Sequence, residues 1–551
     1  MSMTRPRRKP TSIAVKAAKT TESPPAPPRR RRKCSVTVDI TACRYAIIRK
    51  CLRERDFRLV KKKPDGGIAP PKWDIWWSDR GDLLRELPRL SPFQKVNHFP
   101  SMEEICRKDF LANNLNAIFK VLPADFDFFP RSFLIPAESV ELQKAMENGP
   151  KNATYIAKPR TLCQGKGISL IQSFSKLPNE LCVVQRYIDN PLLIDGFKFD
   201  LRIYVLVLSV HPLRVHIFRN GLARFCTTPF EKPTRKNLSK KRMHLTNYAI
   251  NKNSKDFQKA TTTSSTGNQG SKRSLASVMA HLDASGRGSS TAVWQQICDI
   301  VIKTLLCIEP KLQASYKSYF GAKEATETAW GSHCFEILGF DIMLDATCKA
   351  WLFEVNHAPS FAGDSPLDRE VKSALIAQTL DLVDVTNEKK LQFVRQTRSE
   401  WTQRLWSTSQ KSKQPEKDET TNQQSSRPES REEQPEEMAP SDESDTEEGS
   451  SSNNEPGSEG EEEDATQRGT STTLSDALDR CSIGLKNVFS RRNRIAPDNI
   501  ESGRSTTEER QANEPSFTNA FALLYPTDAN QAAEYERVRV AAQVNRSKLW
   551  Q

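Results

Sequence analysis

The sequence predicts an α/β protein with a mixed or antiparallel central sheet and a smaller α/β domain before it. Residues 150–360 contain a series of β-rich runs, including FDLRIYVLVLSV, CFEILGFDIMLD and WLFEVN, separated by Gly, Pro, Asn and Asp turn residues. Before them, SVTVDI alternates like a strand and ACRYAIIRKCL has helical spacing. The chain has 551 residues, more than one hydrophobic core usually organises, so we expect two or three packed units with tails.

The first part of the chain divides where its composition changes. Residues 1–33 combine Pro and Arg with almost no apolar residues, which predicts a disordered basic arm. Residues 34–135 form the predicted N-terminal α/β domain, and residues 136–385 form the predicted core. Within that core, the density of Ser, Thr and Gly between Lys252 and Gly288 predicts a long flexible loop.

The last part of the chain is more polar. Residues 386–410 predict a basic helix, and residues 411–473 predict a disordered acidic linker of low complexity. Residues 474–551 predict a mostly disordered tail, in which the runs NAFALLYP and AAEYERVRVAAQV allow short docking helices but not a second core.

The net charge of +14 is distributed unevenly along the chain. Between Glu416 and Thr466 there are 19 Asp and Glu residues against 3 Lys and Arg residues, so the other 500 residues carry a net charge of +30. A basic surface of this kind attracts polyanions such as nucleic acid, anionic lipid or the acidic tails of another protein. Charge alone does not choose among them.

Composition and motifs disfavour several classes of protein. No apolar run approaches the roughly 20 residues that a membrane-spanning helix requires, so we expect no membrane partner. The N-terminus has no apolar signal core, and the 12 Cys form no CxxC pair, which predicts reduced thiols and a cytoplasmic protein. We find no zinc finger, no RNP-like aromatic motif and no helix-turn-helix pattern, so we expect no nucleic-acid partner.

The sharpest cluster of candidate functional residues lies in CFEILGFDIMLD (334–345) and WLFEVNHAPSF (351–361). Glu354 and Asn356 point to one face of a strand, and the turn DATCK folds that strand back along the one that carries Asp341. Two carboxylates and one amide oxygen are ligands that Mg²⁺ prefers, which favours a magnesium site over the alternative of a solvated edge hairpin.

A phosphate-binding segment is predicted in YIAKPRTLCQGKGISLI (155–171). A strand carries Lys158, and the following Gln164, Gly165, Lys166 and Gly167 can direct backbone NH groups and ammonium groups at phosphates. The segment is neither a Walker loop nor a Rossmann fingerprint. An ordinary hairpin turn with a surface lysine is the alternative.

The run VVQRYIDNPLLIDGFKFDLRIYVLVLSV (183–210) predicts one wall of a nucleotide cleft. The backbone of the segment Gln185, Arg186, Tyr187 and Ile188 can hydrogen-bond an adenine edge. Further on, the side chains of Lys198, Asp200 and Arg202 alternate onto one strand face, opposite Phe199, Leu201 and Ile203. A solvated face is the alternative. We expect His244 to be a hydrogen-bonded core histidine.

These motifs, together with GLARF and MHLTNYAINK, resemble the tubulin tyrosine ligase-like family, whose members have an ATP-grasp fold. The resemblance covers roughly residues 70–385, and FQKVNHFPSMEEICRKD, NPLLIDGFKFDLR and EVNHAPSF are most similar to the polyglutamylase branch. It implies a monomeric enzyme that uses ATP and Mg²⁺ to add free glutamate to acidic tails, chiefly of tubulin, at microtubules, a cilium or a basal body.

The resemblance also implies a role for each matching residue. It implies that Arg202, Arg224 and Glu354 are catalytic and that Asp341, Glu354 and Asn356 are the metal ligands. The implied contacts with the incoming glutamate and the acceptor chain are Gln164, Arg224, Tyr248, Ala249, Lys272 and His357. The implied contacts with ATP are Lys158, Gln164, Gly165, Gln185, Arg186, Tyr187, Ile188, Lys198, Phe199, Asp200, Thr246 and Asn247.

The mechanism implied is attack of an acceptor carboxylate on ATP to give an acyl phosphate, followed by isopeptide formation. The neighbours Cys163–Gln164 and Asn356–His357 resemble those of chain-elongating members, so we expect elongation of an existing glutamate branch. Glycylation or tyrosination on the same fold, and a catalytically silent microtubule-binding protein, are the alternatives. The choice between α- and β-tubulin or another acceptor stays open.

Overall fold

A computed structural model describes eight stretches of the chain: residues 35–60, 73–81, 90–162, 164–259, 270–321, 330–411, 517–526 and 529–548. The predicted basic arm, Cys163, nearly all of the predicted acidic linker and the start of the predicted tail lie outside these residues.

The first unit is a small parallel sheet with helices packed beside it. The strands pair in the order β2-β1-β3-β4, and every pairing is parallel. Helix α1 buries Ile47, Ile48 and Leu52, because these positions share one face at helical spacing. The elements are β1 (Thr37–Asp39), α1 (Ala46–Glu54), β2 (Arg58–Leu59), β3 (Ile75–Trp76), β4 (Lys95–Val96), α2 (Glu103–Cys106) and α3 (Lys108–Phe119).

A second sheet follows, with strand order β5-β8-β6-β7 and antiparallel pairing throughout. Its first strand, Ser132–Ile135, lies within the range 34–135 that the sequence analysis assigned to the N-terminal domain. Because this strand pairs with β8, the boundary falls before Ser132 and that prediction needs correction. The elements are β5 (Ser132–Ile135), α4 (Ser139–Glu147), β6 (Tyr155–Pro159), β7 (Ser169–Ile171) and β8 (Cys182–Arg186).

The central sheet is built from long antiparallel strands in the order β12-β11-β10-β13-β14. Its strands are β9 (Leu193–Ile194), which pairs with β10, then β10 (Phe197–Val210), β11 (Leu213–Phe225), β12 (Lys272–Ser274), β13 (Glu336–Leu344) and β14 (Ala350–Asn356). The helices between them are α5 (Lys241–His244), α6 (Tyr248–Asn251), α7 (Leu275–Ser285), α8 (Ser290–Leu306) and α9 (Glu309–Phe320).

The loop predicted between Lys252 and Gly288 is only partly a loop. Residues 272–274 form β12 on the edge of β11, and α7 begins immediately afterwards, with the Ser274 side chain accepting a hydrogen bond from the Ser277 backbone N–H. The small polar residues that suggested a loop therefore include a helix cap. Residues 260–269 lie outside the described part of the chain.

Each face of the central sheet packs on a hydrophobic core. On one face, Leu201 and Ile203 of β10 join Val278 of α7 and Val301 of α8 in the larger core. On the other face, Tyr204 joins a core with residues of the N-terminal sheet and of helix α10 (Pro366–Val383). Strand alternation therefore sends successive side chains of β10 into different environments.

The last described elements of the chain pack on the same core. Helix α11 (Asn387–Lys411) lies where the basic helix was predicted, and strand β15 (Phe521–Tyr525) pairs with β11. Helix α12 (Ala529–Lys548) buries Tyr535 and Val538 in the larger core. Part of the predicted tail is thus a strand and a 20-residue helix, because β11 and the core supply partners that a local sequence pattern does not show.

Among the described helices, none taken singly is long and apolar enough to cross a bilayer. Helices α8 and α9 meet the length and composition criteria only as a pair, and they are bent by 50° relative to each other.

Candidate active site

The candidate site lies where β10, β11, β13 and β14 run side by side. A cavity of 1030 Å³ opens over these strands, and a second, narrower cavity adjoins it. The two cavities share wall residues, among them Lys158, Gln185, Asn247 and Glu354. The site therefore has two compartments that meet at one group of charged side chains.

Strand register brings together five charged side chains, called here the charged group: Asp200, Arg202, Arg224, Asp341 and Glu354. In the antiparallel pairing, Asp200 lies opposite Arg224, Arg202 lies opposite Asp341, and Asp341 lies opposite Glu354. Cross-strand partners of this kind have side chains on the same face. Five charges from four strands, distant in sequence, thus share one small area of the sheet.

Buried ion pairs hold this group together. Arg224 donates to both carboxylate oxygens of Asp200, at 2.8 and 2.6 Å, and lies 2.8 Å from Asp341 Oδ2. Arg202 Nε and Nη2 donate to Asp341 at 2.5 and 3.0 Å. Although burial opposes ionisation, the guanidinium groups of Arg202 and Arg224 hold the pKa of Asp341 well below its usual range.

Glu354 and Asn356 complete the predicted metal-ligand set. Burial raises the pKa of Glu354, and the adjacent Asp341 carboxylate raises it further. The Asn356 amide nitrogen lies 3.4 Å from Asp341 Oδ2. These two carboxylates and the amide are thus gathered on neighbouring strands, and a divalent cation would relieve the repulsion between the carboxylates. The donor chemistry fits Mg²⁺.

Two buried lysines line the narrower cavity. Lys158 Nζ donates to Gln185 Oε1 at 2.5 Å, and Lys198 Nζ donates to the Tyr187 hydroxyl at 2.9 Å. Neither lysine forms an ion pair with a carboxylate within the described stretches. Burial lowers the pKa of each lysine to about 8. An anionic group such as a polyphosphate would supply the missing negative charge.

The predicted phosphate-binding segment lines the large cavity at Gln164 and Gly165, both of which have a left-handed backbone conformation. Gln164 has φ 60° and Gly165 has φ 78°. A Cβ atom on Gly165 would lie 2.5 Å from Ile250 Cδ1 and 3.1 Å from Asn247 Oδ1. Glycine is therefore favoured there, because the left-handed φ strains any other residue, and a side chain would also require Ile250 on α6 to move.

The other wall of the narrower cavity is partly apolar and includes Arg186, Tyr187 and Ile188. Thr246 donates to Asp200 Oδ2 at 2.6 Å, which ties the 246–247 segment to the charged group. His244 is a buried, hydrogen-bonded histidine, as the sequence analysis expected: it contacts the Tyr187 hydroxyl at 3.1 Å, and burial lowers its pKa to about 4.

One predicted nucleotide contact is wrong for its side chain. Phe199 is buried in the larger core, where its ring stacks on Phe225 with the centroids 5.1 Å apart. It lies on the opposite strand face from Lys198 and Asp200, because neighbouring residues of a strand alternate. The resemblance covered three consecutive residues, of which the strand presents only two to the site.

The predicted contacts with the incoming amino acid and the acceptor divide into two groups. Gln164, Arg224, Tyr248, Ala249 and His357 line the large cavity. Lys272 does not line that cavity. Its ammonium group pairs with Asp368 at 2.7 Å and lies 4.2 Å from the centre of the Tyr248 ring. Lys272 therefore stands behind the cavity wall.

Several cavity residues were not predicted from the sequence. Lys108, Lys252 and Arg369 also line the large cavity, and none of them forms an ion pair with a described residue. Phe353 lies on the wall between the two cavities, 5.4 Å from Lys158 Nζ. A lysine or arginine in a basic sequence carries no local signal that separates it from surface charge.

With this geometry established, a comparison with known families identifies the class of protein. The model of the tubulin-tyrosine ligase family matches residues 86–392, more than half of the chain. The chain therefore belongs to the tubulin-tyrosine ligase family.

Individual relatives refine this assignment. The chain is similar to tubulin polyglutamylase TTLL6 of Homo sapiens, with 41% identity over 66% of this chain and 39% of the relative. It is 43% identical to tubulin polyglutamylase ttll6 of Danio rerio over 63% of this chain and 42% of the relative. It is 36% identical to tubulin polyglutamylase TTLL7 of Homo sapiens over 69% of this chain and 40% of the relative. The chain thus matches about two fifths of the length of these relatives.

Proposed function

We propose that this chain is an ATP-dependent ligase of the ATP-grasp type that adds glutamate to glutamate side chains or branches in acidic tubulin tails. Membership of the family and similarity to proteins named tubulin polyglutamylases support the proposal. The observation that carries it is the buried group of Asp200, Arg202, Arg224, Asp341 and Glu354 on the wall where the two cavities meet.

The narrower cavity is the proposed ATP site. Lys158 and Lys198 bind the phosphates, since both are buried cations without a carboxylate partner in the described stretches. Ile188 and Tyr187 form an apolar wall suited to a nucleobase. Asp341, Glu354 and Asn356 would hold Mg²⁺, which when bound neutralises charge on the phosphoryl oxygens. Arg202 and Arg224 keep Asp341 ionised for this task.

The large cavity is the proposed site of the incoming glutamate and of the acceptor. Arg224 faces it from β11, and a guanidinium group pairs well with a carboxylate. Lys272 acts through Tyr248, against whose ring its ammonium group lies. The cations Lys108, Lys252 and Arg369, which form no ion pair with a described residue, give the walls an excess of positive charge, which suits an acidic acceptor chain.

The proposed chemistry needs no protein nucleophile. The acceptor γ-carboxylate takes the γ-phosphoryl group of ATP, which releases ADP and leaves an acyl phosphate. The amine of free glutamate then attacks the activated carbonyl, phosphate leaves, and one proton is lost from the amine. The protein supplies position and charge, which is where such reactions gain most of their stabilisation.

We further propose that the enzyme lengthens existing glutamate branches and acts as a monomer at microtubules. Gln164 and His357 both line the large cavity, so both can contact a glutamate branch that enters it. The basic helix α11, with Lys389, Arg395 and Arg398, adds positive charge to the surface beside the N-terminal domain.

Incorporation of three radiolabelled amino acids into purified tubulin tests the proposal. We expect ATP-dependent incorporation of glutamate, with little of glycine or tyrosine, and mass spectrometry of the tails should show longer branches. Incorporation of glycine alone, or of tyrosine alone, would replace the proposal with one of the two other ligase activities. Microtubule binding without ATP turnover would establish a binding protein instead.

A further inference from the structure

Three metal-binding side chains converge outside the charged group of the candidate active site. His98 follows β4, Glu336 is the first residue of β13, and His357 follows β14. One donor atom of each lies within 4.8 Å of the donor atoms of the other two. His98 and Glu336 are buried, and His357 is exposed. Three separate segments therefore meet at one point between the N-terminal domain and the end of the β13–β14 hairpin.

The hydrogen bonds of His98 direct one ring nitrogen towards that point. His98 Nε2 lies 2.9 Å from the Ser78 carbonyl oxygen. Because a carbonyl only accepts, Nε2 carries a hydrogen, as in the backbone-oriented histidine ligands of many metal sites. The other nitrogen, Nδ1, lies 3.0 Å from Glu336 Oε1. A proton lies between these two atoms when no metal is bound, and a cation can take its place.

Glu336 is held in a similar way. Its Oε2 accepts a hydrogen bond from the Phe99 backbone N–H at 2.8 Å, so that Oε1 is the oxygen directed at His98. The Glu336 carboxylate is almost completely buried, and its Oε1 is paired with the His98 ring at 3.0 Å. Each buried residue thus uses one polar atom to fix its orientation and presents the other at the meeting point.

Space for an ion lies beside the His98 and His357 rings. A Cβ atom on Gly81 would stand 3.5 Å from His98 Nδ1 and 3.8 Å from His357 Nδ1, so the missing side chain leaves both nitrogens facing the same gap. A cavity of 10 Å³, about the size of one water molecule, is bordered by His98 and His357. Because His357 is exposed, its ring can turn towards this gap at little cost.

We propose that His98, Glu336 and His357 form a binding site for a transition-metal cation, with Zn²⁺ as its best-fitting occupant. Two imidazoles and one carboxylate are a ligand set that zinc uses, with a fourth position for water, whereas Mg²⁺ prefers oxygen donors alone. Its ligands differ from the predicted magnesium ligands Asp341, Glu354 and Asn356, the last of which directly precedes His357. A bound ion joins the N-terminal domain to the end of β14.

Occupancy has a consequence for the large cavity. His357 lines both the large cavity and the small one, so a ring that binds the ion cannot also contact a molecule in the large cavity. Zinc at this site therefore removes His357 from the predicted acceptor site, and it fixes the segment that follows β14.

Zinc binding to the purified full chain tests the inference. Titration with ZnCl₂ against a chromogenic chelator, in buffer with excess Mg²⁺, compares the native chain with His357→Ala. We expect the variant to bind one zinc equivalent fewer, or to bind it at least about tenfold more weakly. His281→Ala, on helix α7, is the matched control and should bind as the native chain does.

Two further measurements keep the result decisive. The visible spectrum of the Co²⁺-loaded chain should show the intense bands of a four-coordinate site, and these bands should be absent in His357→Ala. Glu336→Gln should also abolish zinc binding at this site. Because Glu336 is buried, circular dichroism must show that this variant is folded. Equal zinc stoichiometry and affinity in the native chain and in His357→Ala would overturn the proposal.

Discussion

Replacing Glu354 with Gln separates the chemistry of the candidate active site from its stability. The change keeps the size and shape of the side chain but removes a metal-binding carboxylate. Stabilisation of phosphoryl charge by a bound metal is worth several kcal/mol, and each 1.36 kcal/mol changes a rate tenfold. A loss of about 4 kcal/mol therefore lowers the rate of ligation by about 1,000-fold.

The same substitution should not destabilise the fold. Burial and the Asp341 carboxylate raise the pKa of Glu354 above its usual 4.5, so the folded protein binds this proton more tightly than the unfolded chain does. Ionisation of Glu354 therefore destabilises the folded protein. This destabilisation grows as the pH rises from 4.5 to the raised pKa of the folded state. Gln cannot ionise, so at pH 7 the variant should be at least as stable as the native protein.

The assay is incorporation of radiolabelled glutamate into tubulin, with urea denaturation of the same preparations. We expect Glu354→Gln to be almost inactive and to unfold at the same or a higher urea concentration. Glu400→Gln, on the exposed part of α11, is the matched control and should change neither property. Full activity in Glu354→Gln would refute the assignment of this carboxylate, and unfolding at low urea would refute the argument from its pKa.

Three further predictions concern charged groups, two of them in the site and one on helix α12. Asp341→Asn leaves two buried guanidinium groups without their shared partner, so urea denaturation should show a loss of about 3–5 kcal/mol of stability; an unchanged midpoint would contradict the ion-pair geometry. Because Lys158 and Lys198 have pKa values of about 8 and lose their charge above that pH, ATP affinity measured by calorimetry should weaken as the pH rises past 8. A flat profile from pH 7 to 9 would exclude them as phosphate ligands. Arg539→Ala removes the ion-pair partner of the buried Glu309 on α9 and should cost about 1–3 kcal/mol. Arg537→Ala, at an exposed ion pair, should cost less than about 1 kcal/mol; equal losses would show that the Arg539–Glu309 pair does not hold α12.

The sequence alone determined the alternation of β10 and the hairpin of β13 and β14. The alternation of Asp200 and Arg202 with Leu201 and Ile203 follows from the period of a strand, which is a local property. The turn at 345–349 joins β13 to β14 and is equally local. For this reason the grouping of Asp341, Glu354 and Asn356 is predictable from neighbouring residues of the chain.

Only the tertiary structure decided which charged side chains meet and which strand β15 pairs with. Arg224 reaches Asp341 because β10 lies between β11 and β13, and strand order in a sheet is not a local property. The pairing of β15 with β11 spans about three hundred residues and depends on an edge that only the folded sheet provides. The convergence of His98, Glu336 and His357 likewise follows from packing between domains, which hydrophobic burial sets and sequence periodicity does not record.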